Sequence, residues 1–326
     1  MLVVPDWWVW DFWLADDGEQ FHAYFLQAPA RVPANDRHWN VCVGHAVSPD
    51  LREWEVLGTA LAPSRERAFD DFATWTGSVV RADDGVWQMF YTGLTRADQG
   101  MVQRVGVATS ADLHHWTKES SDALVVADPR WYSTFAWTGR AEAWRDPWVM
   151  RDPGGDGWHM FVTASARDVP EDQAGVIAHA RSGDLRTWEV GPPVTAPGSG
   201  FAQLEVVQVE LVDGEPVVLF SCLGPELSLD RRASGESGGV WAMTTDSLTG
   251  PFDPTRASLV TDQSLYVGRV VRDRSGQWVM LAFHNEGADG RFVGWISDPI
   301  PWRSVWRGAP ASASVVRGGG GAAAGR

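Results

Sequence analysis

The sequence predicts an all-β fold, a five-bladed β-propeller in a single domain. A segment of the form Ala-x-Ser-x-Asp-Leu-x-x-Trp returns at intervals of roughly 60 to 70 residues, too long for most solenoids and right for propeller blades. Before each copy lie two β-patterned runs joined by an acidic or glycine turn, the mark of a hairpin. Helical periodicity is nearly absent.

The clearest copies are Gly44-His45-Ala46-Val47-Ser48-Pro49-Asp50-Leu51-Arg52-Glu53-Trp54, Gly106-Val107-Ala108-Thr109-Ser110-Ala111-Asp112-Leu113-His114-His115-Trp116 and Ala178-His179-Ala180-Arg181-Ser182-Gly183-Asp184-Leu185-Arg186-Thr187-Trp188. Weaker ones begin at Trp241 and Val293. Hairpins such as Ser78–Ala82 and Val86–Tyr91 around Asp83-Asp84-Gly85, and Arg269–Arg272 and Gln277–Leu281 around Asp273–Gly276, precede them. Strand, hairpin, strand, a third strand ending in Ser-x-Asp-Leu and a return strand make one four-stranded blade. The blades fall at 7–61, 75–125, 144–195, 204–252 and 266–302. The propeller is thus expected over residues 1–302, followed by a segment, 303–326, that ends in a Gly/Ala-rich disordered tail. A C-terminal β-sandwich has no room after Trp302.

Composition narrows the partners. Against 42 Asp and Glu stand 27 Lys and Arg, a formal charge of −15, which opposes binding to nucleic acid or to anionic lipid. No apolar run is long enough to span a bilayer. No charged and apolar leader opens the chain, so a cytoplasmic location is expected. Cys42 and Cys222 lie far apart and read as small apolar residues, and the eight histidines show no paired ligand spacing. Neither a metal nor another cofactor is expected, and nothing in the sequence defines an oligomeric interface. Twenty tryptophans are the outlier; most belong in the core, and indole faces also suit stacking on a sugar ring.

Three carboxylates stand in apolar, strand-like settings: Asp11 in Trp7-Trp8-Val9-Trp10-Asp11-Phe12-Trp13, Asp146 in Trp144-Arg145-Asp146-Pro147-Trp148 and Glu205 in Gln203-Leu204-Glu205-Val206-Val207. Each starts the inner strand of a blade, the first, third and fourth, so blade register predicts that they converge at one mouth of the channel. Taken singly, each has a structural explanation as a turn former or local ion pair. The aspartates of the repeats, Asp50, Asp112 and Asp184, are read as such turn formers. Jointly, three carboxylates in one Trp-lined pocket cannot all ionise cheaply. That division into charged and protonated acids is what glycoside hydrolysis uses. Arg145 would hold a carboxylate charged and donate to sugar hydroxyls. The stretches 128–143 and 224–239 are candidate pocket walls.

These residues carry a family resemblance. The Trp-rich strand with Asp11, the strand Phe21-His22-Ala23-Tyr24-Phe25-Leu26-Gln27-Ala28-Pro29, the segment Trp75-Thr76-Gly77-Ser78 and the motif Arg145-Asp146-Pro147 occur in an order that resembles glycoside hydrolase family 32, the invertases and fructanases. Trp10-Asp11-Phe12-Trp13 is similar to the nucleophile strand of the related levansucrase family 68. Glu205-Val206-Val207 departs from the Glu-Cys-Pro usual at the acid/base. The resemblance implies Asp11 as nucleophile, Glu205 as general acid/base and Asp146 as transition-state stabiliser. It implies a sugar subsite lined by Trp10, Trp13, Gln27, Trp75, Ser78 and Arg145. The activity so implied is retaining hydrolysis of a small β-fructofuranoside, sucrose or a short fructo-oligosaccharide, through a covalent fructosyl-enzyme. Three alternatives stand beside it: a fructosyltransferase; an inverting arabinofuranosidase or xylosidase of the family 43 type, with carboxylates roughly 6.5–9.5 Å apart; and a non-catalytic sugar-binding propeller.

Overall fold

The computed structural model describes residues 1–306; the expected disordered tail lies outside the described residues. Five antiparallel sheets follow one another along the chain, each laid down strand beside strand. Blade one is β1 Trp7–Asp16, β2 Phe21–Pro29, β3 Cys42–Ser48 and β4 Glu55–Leu61. Blade two is β5 Ala73–Arg81, β6 Trp87–Leu94, β7 Gln103–Ser110 and β8 Thr117–Lys118. Blade three is β9 Trp144–Arg151, β10 Trp158–Ser165, β11 Gly175–Ser182 and β12 Glu189–Val190. Blade four is β13 Glu205–Val212, β14 Glu215–Cys222, β15 Gly239–Thr244 and β16 Ser258–Asp262. Blade five is β17 Leu265–Arg272, β18 Trp278–His284 and β19 Ile300–Pro301. The first strands β1, β5, β9, β13 and β17 touch their neighbours in a closed ring, which is the propeller axis.

Blade five corrects the expectation of four strands, since Val293–Pro299 makes only isolated bridges there. Gly294 sits at φ 80° and Pro299 has no N–H, so the segment cannot carry a regular ladder. The N-terminus fills in: Leu2 exchanges both backbone hydrogen bonds with Ile296, at 2.9 and 3.0 Å, and Ile296 in turn bridges Phe283 of β18. Packing also continues past Pro301 into the helical turn α1 Trp302–Val305, where Trp302 and Trp306 are buried against blades four and five.

The recurring Ser-x-Asp-Leu segments fold identically. Asp50 Oδ1 accepts the N–H groups of Arg52 and Glu53, both at 2.9 Å, and Asp112 and Asp184 repeat this with the two residues that follow each leucine. Leu51, Leu113 and Leu185 take left-handed φ of 65°, 63° and 62° and bury their side chains. These backbone N–H bonds hold the Asp50 and Asp184 carboxyls below the usual range, as expected of turn formers.

Lys118, the one lysine, ends blade two by donating to Ala62 O at 2.7 Å, Ser64 Oγ at 2.9 Å and the buried carboxylate of Asp70, which also accepts from Tyr91 OH at 2.8 Å. Two histidine pairs occupy matching places in blades one and three. His22 and His45 meet at 3.0 Å beside Asp17, and His159 and His179 meet at 2.7 Å beside Asp152. Burial pushes His45 down to about 3 and half-buried His179 to about 4, so both are neutral. Among the described residues no helix is long and apolar enough to cross a membrane, and no three His, Cys, Asp or Glu side chains are grouped to hold an ion.

Candidate active site

Every inner strand carries the same irregularity, one extra residue opposite the second strand. The register slips between Trp10 and Phe12, Trp75 and Gly77, Arg145 and Trp148, Glu205 and Gln208, and Tyr266 and Arg269. A β-bulge re-aims the side chains beside it, and here all five bulged strands turn side chains toward one mouth of the axis. Trp10 and Asp11, Trp75 and Thr76, Arg145 and Asp146, Glu205, and Tyr266 all line one cavity of about 450 Å³, with Arg37, His38, Trp39 and Asn285 among its outer walls. Asp146, Val206 and Val267 sit at φ 59°, 52° and 52°. For β-branched valine this backbone is strained by roughly 1–3 kcal/mol.

Hydroxyls on the second strands hold three of the bulges. Thr92 of blade two accepts the Asp146 N–H at 2.9 Å, Thr163 of blade three that of Val206 at 3.2 Å, and Ser221 of blade four that of Val267 at 3.0 Å. At the centre, buried Arg269 donates to Phe12 O at 3.2 Å, Val206 O at 3.3 Å and Val207 O at 2.9 Å. One guanidinium therefore joins the strand behind Asp11 to the strand behind Glu205. Burial lowers Arg269 to about 10, against the pull of the Asp146 and Asp11 carboxylates, and it stays charged.

The three carboxylates have different surroundings. Half-buried Asp11 accepts from Thr76 Oγ1 at 2.7 Å; desolvation raises it to about 6 despite that bond, and Glu205 adds to the rise. Asp146 is buried, accepts from Thr163 Oγ1 at 3.2 Å and lies 3.5 Å from Arg145 Nε; desolvation lifts it to about 7, against the pull of Arg145. Glu205 is clamped between two donors, Arg145 Nη2 at 2.5 Å and the phenol of Tyr266. Gln203 Oε1 and Gln103 Oε1 accept from the same guanidinium at 3.1 and 3.4 Å. Nearby Glu226, in the turn Gly224–Glu226, is raised to about 7 by burial and by the charge of Glu205. Burial and the neighbouring arginines lower His38 to about 3, so it is a neutral wall.

Of the residues singled out in the sequence, Asp11, Asp146, Glu205, Arg145, Trp10 and Trp75 meet in this cavity. Trp13, Gln27 and Ser78 are not among its lining residues. Trp13 is fully buried and stacks on Tyr24 at 6.0 Å between centroids. Gln27 lies on a second strand and turns outward to Cys42 Sγ at 3.6 Å and Thr59 Oγ1 at 3.4 Å. Ser78, two residues past its bulge, accepts the Val149 N–H at 3.0 Å and seals the seam between blades two and three. The sequence reading missed Thr76, Tyr266 and Arg37. Thr76 is the bulge residue of blade two and Tyr266 immediately precedes the bulge of blade five, as Glu205 does in blade four, so alignment of the inner strands identifies them; Arg37 comes from the 3-10 helix Ala34–Trp39 after β2, where no repeat points to it.

The family model "Glycosyl hydrolases family 32 N-terminal domain" matches residues 14–299. An insoluble-isoenzyme β-fructofuranosidase of Oryza sativa is 30% identical over 81% of this chain, and a sucrose-6-phosphate hydrolase of Escherichia coli is 30% identical over 52%. The matched regions span 42% and 35% of those relatives. Among solved structures, the inulosucrase of Halalkalicoccus jeotgali bound to kestose superposes with a TM-score of 0.71 at 21% identity, covering 90% of this chain and 81% of that one. The levansucrase of Bacillus subtilis superposes at 0.70 and 16% identity, covering 89% and 83%. At these identities the likeness is one of fold.

Proposed function

The chain belongs to glycosyl hydrolase family 32, and from that premise we propose that it is a retaining glycoside hydrolase that cleaves a small β-fructofuranoside, sucrose or a short fructo-oligosaccharide. The observation that carries this reading is the convergence of Asp11, Asp146 and Glu205 in one Trp-walled cavity, each with a different partner.

In this mechanism Asp11 attacks the anomeric carbon of the fructosyl unit while Glu205 protonates the departing oxygen, and an ester between Asp11 and fructose results. Glu205, now a carboxylate, takes a proton from water, and that water breaks the ester. The Thr76 hydroxyl keeps Asp11 ionised and leaves its second oxygen free to attack. Arg145 and Tyr266 fix the orientation of Glu205 from both sides. Asp146 and the Arg145 guanidinium are suited to holding furanose hydroxyls as positive charge develops on the ring. Carboxylates alone suffice for these steps, and no metal or organic cofactor is invoked.

A proton NMR time course with sucrose and a short inulin-type oligosaccharide, run beside Asp11→Asn, tests the proposal. Release of β-fructose as the first anomer, lost in the variant, is the expected result. First formation of the α anomer would replace retention by inversion, and products longer than the substrate would make the enzyme a transferase. No change in either sugar with wild-type protein would remove the fructosidase reading.

A further inference from the structure

The catalytic cavity does not end at Arg145. On its far side lies a second, wider chamber of about 840 Å³ that shares Gln103 and Arg145 with the first, includes Gln203, and so opens on the side of Glu205. Its roof is the segment 128–143 with the helical turn α2 Phe135–Thr138, and its floor is the end of blade three around Ser165 and Asp168. The roof is fastened in place: Ser133 N donates to Ser165 O at 2.9 Å, Glu142 N donates to Met101 O at 2.8 Å, and the Glu142 carboxylate accepts the Phe135 N–H at 3.1 Å. Trp137 lines the chamber with its side chain 61% exposed, and the Arg167 guanidinium stands 4.4 Å from the ring centroid. An indole so held presents a flat apolar face to a cavity otherwise walled by amides, hydroxyls and carboxylates.

We propose that this chamber binds the leaving group of an uncharged oligosaccharide, at least two sugar units beyond the scissile bond. The inference rests on the fructosidase reading, in which the departing oxygen lies beside Glu205, at the boundary of the two spaces. The chamber has nearly twice the volume of the catalytic cavity, which is more than one monosaccharide requires. Its charge excludes a phosphosugar. The arginines in its lining are both engaged, Arg145 with Glu205 and Arg140 with Glu171 at 2.6 Å, while Glu142, Asp168 and Glu171 face the same space. A phosphate group would meet acids, with neither of the two lining guanidiniums free to receive it. The Trp137 face would stack on the second sugar unit.

The test compares raffinose, 1-kestose, sucrose and sucrose 6-phosphate as substrates of the full chain and of Trp137→Ala, with calorimetric titration of the same sugars into Asp11→Asn and Asp11→Asn/Trp137→Ala. The expected kcat/KM for the trisaccharides exceeds that for sucrose by about tenfold, with sucrose 6-phosphate the poorest substrate. Trp137→Ala is expected to erase most of the trisaccharide advantage, and the double variant to bind trisaccharides about tenfold more weakly than Asp11→Asn. Trisaccharide-to-sucrose ratios that Trp137→Ala leaves unchanged, or a preference for the phosphosugar, would overturn the proposal while leaving the fructosidase reading intact. If no sugar is cleaved but titration still registers the Trp137-dependent trisaccharide binding, the chamber stands as a sugar site and the fructosidase reading falls. Absence of both cleavage and Trp137-dependent binding overturns both.

Discussion

Thr76→Val removes one hydroxyl from the cavity and keeps the shape of the side chain, so its effect isolates a single hydrogen bond. In the native protein Thr76 Oγ1 donates to Asp11 Oδ2 at 2.7 Å, and it is the largest influence opposing the desolvation that raises Asp11 to about 6. A hydrogen bond to a charged acceptor contributes roughly 1.5–3 kcal/mol, and 1.36 kcal/mol corresponds to one pKa unit. Losing it should raise Asp11 by about 1–2 units, since the bond favours the ionised form. A nucleophile must be ionised, so the acidic limb of kcat/KM against pH moves up by that amount. Relative to wild type at the same pH, activity falls about 10- to 100-fold at pH 5.5 and recovers in large part above pH 8. Steady-state hydrolysis of sucrose between pH 4.5 and 8.5, with stability followed in parallel, reads the shift. Because Asp146 titrates in the same cavity, the limb belongs to the cluster and the displacement is the quantity to compare. A uniform loss at every pH, with the limb in place, would refute the assignment of Asp11 as the group whose ionisation Thr76 controls.

Further outcomes follow from the packing. Arg269→Met orphans the buried carbonyls of Phe12, Val206 and Val207 and should cost roughly 2–5 kcal/mol in urea unfolding. Lys118→Met strands the buried Asp70 carboxylate, for a loss of about 3–5 kcal/mol; an unchanged urea midpoint would show that the pair contributes nothing net. The buried histidines set an acid limit on stability. His45 at about 3 and His179 at about 4 lie below the unfolded value near 6.5, so the unfolded chain binds more protons as pH drops through this window. Stability should therefore fall by about 1.4 kcal/mol per pH unit per histidine below pH 6.5, and His179→Gln should flatten the slope. Tyr266→Phe removes one of the two donors to Glu205 and should lower kcat about 10- to 100-fold with KM within about threefold, as measured by steady-state kinetics.

The propeller was legible because its signals are local and repeat. Ser-x-Asp-Leu-x-x-Trp encodes a loop in which the aspartate caps two N–H groups, and three copies announce three blades. Blade five was less legible, since its third strand is broken by Gly294 and Pro299 and the N-terminal residue Leu2 supplies an outer pairing. The convergence of Asp11, Asp146 and Glu205 followed from blade register. What could not be read was the bulge itself. One extra residue per inner strand decides which neighbour faces the axis, and it sets Thr76 in the cavity, Ser78 in the seam between blades and Trp13 in the core. The strand motif that contains Gln27 does not show that its position on a second strand turns it toward Cys42 and Thr59. Arg37 reaches the cavity from the short 3-10 helix Ala34–Trp39, outside the blade repeat, where sequence pattern carries no directional information.

The most direct test of the central claim is intact-protein and peptide mass spectrometry of Glu205→Gln after brief incubation with a β-fructofuranosyl fluoride, whose leaving group departs without protonation, and acid quench. Without its acid/base the enzyme should stall after the first step, and a single fructosyl adduct on the peptide bearing Asp11 is the expected result. An adduct on another residue, or turnover to inverted product with none at all, would contradict a covalent mechanism at Asp11.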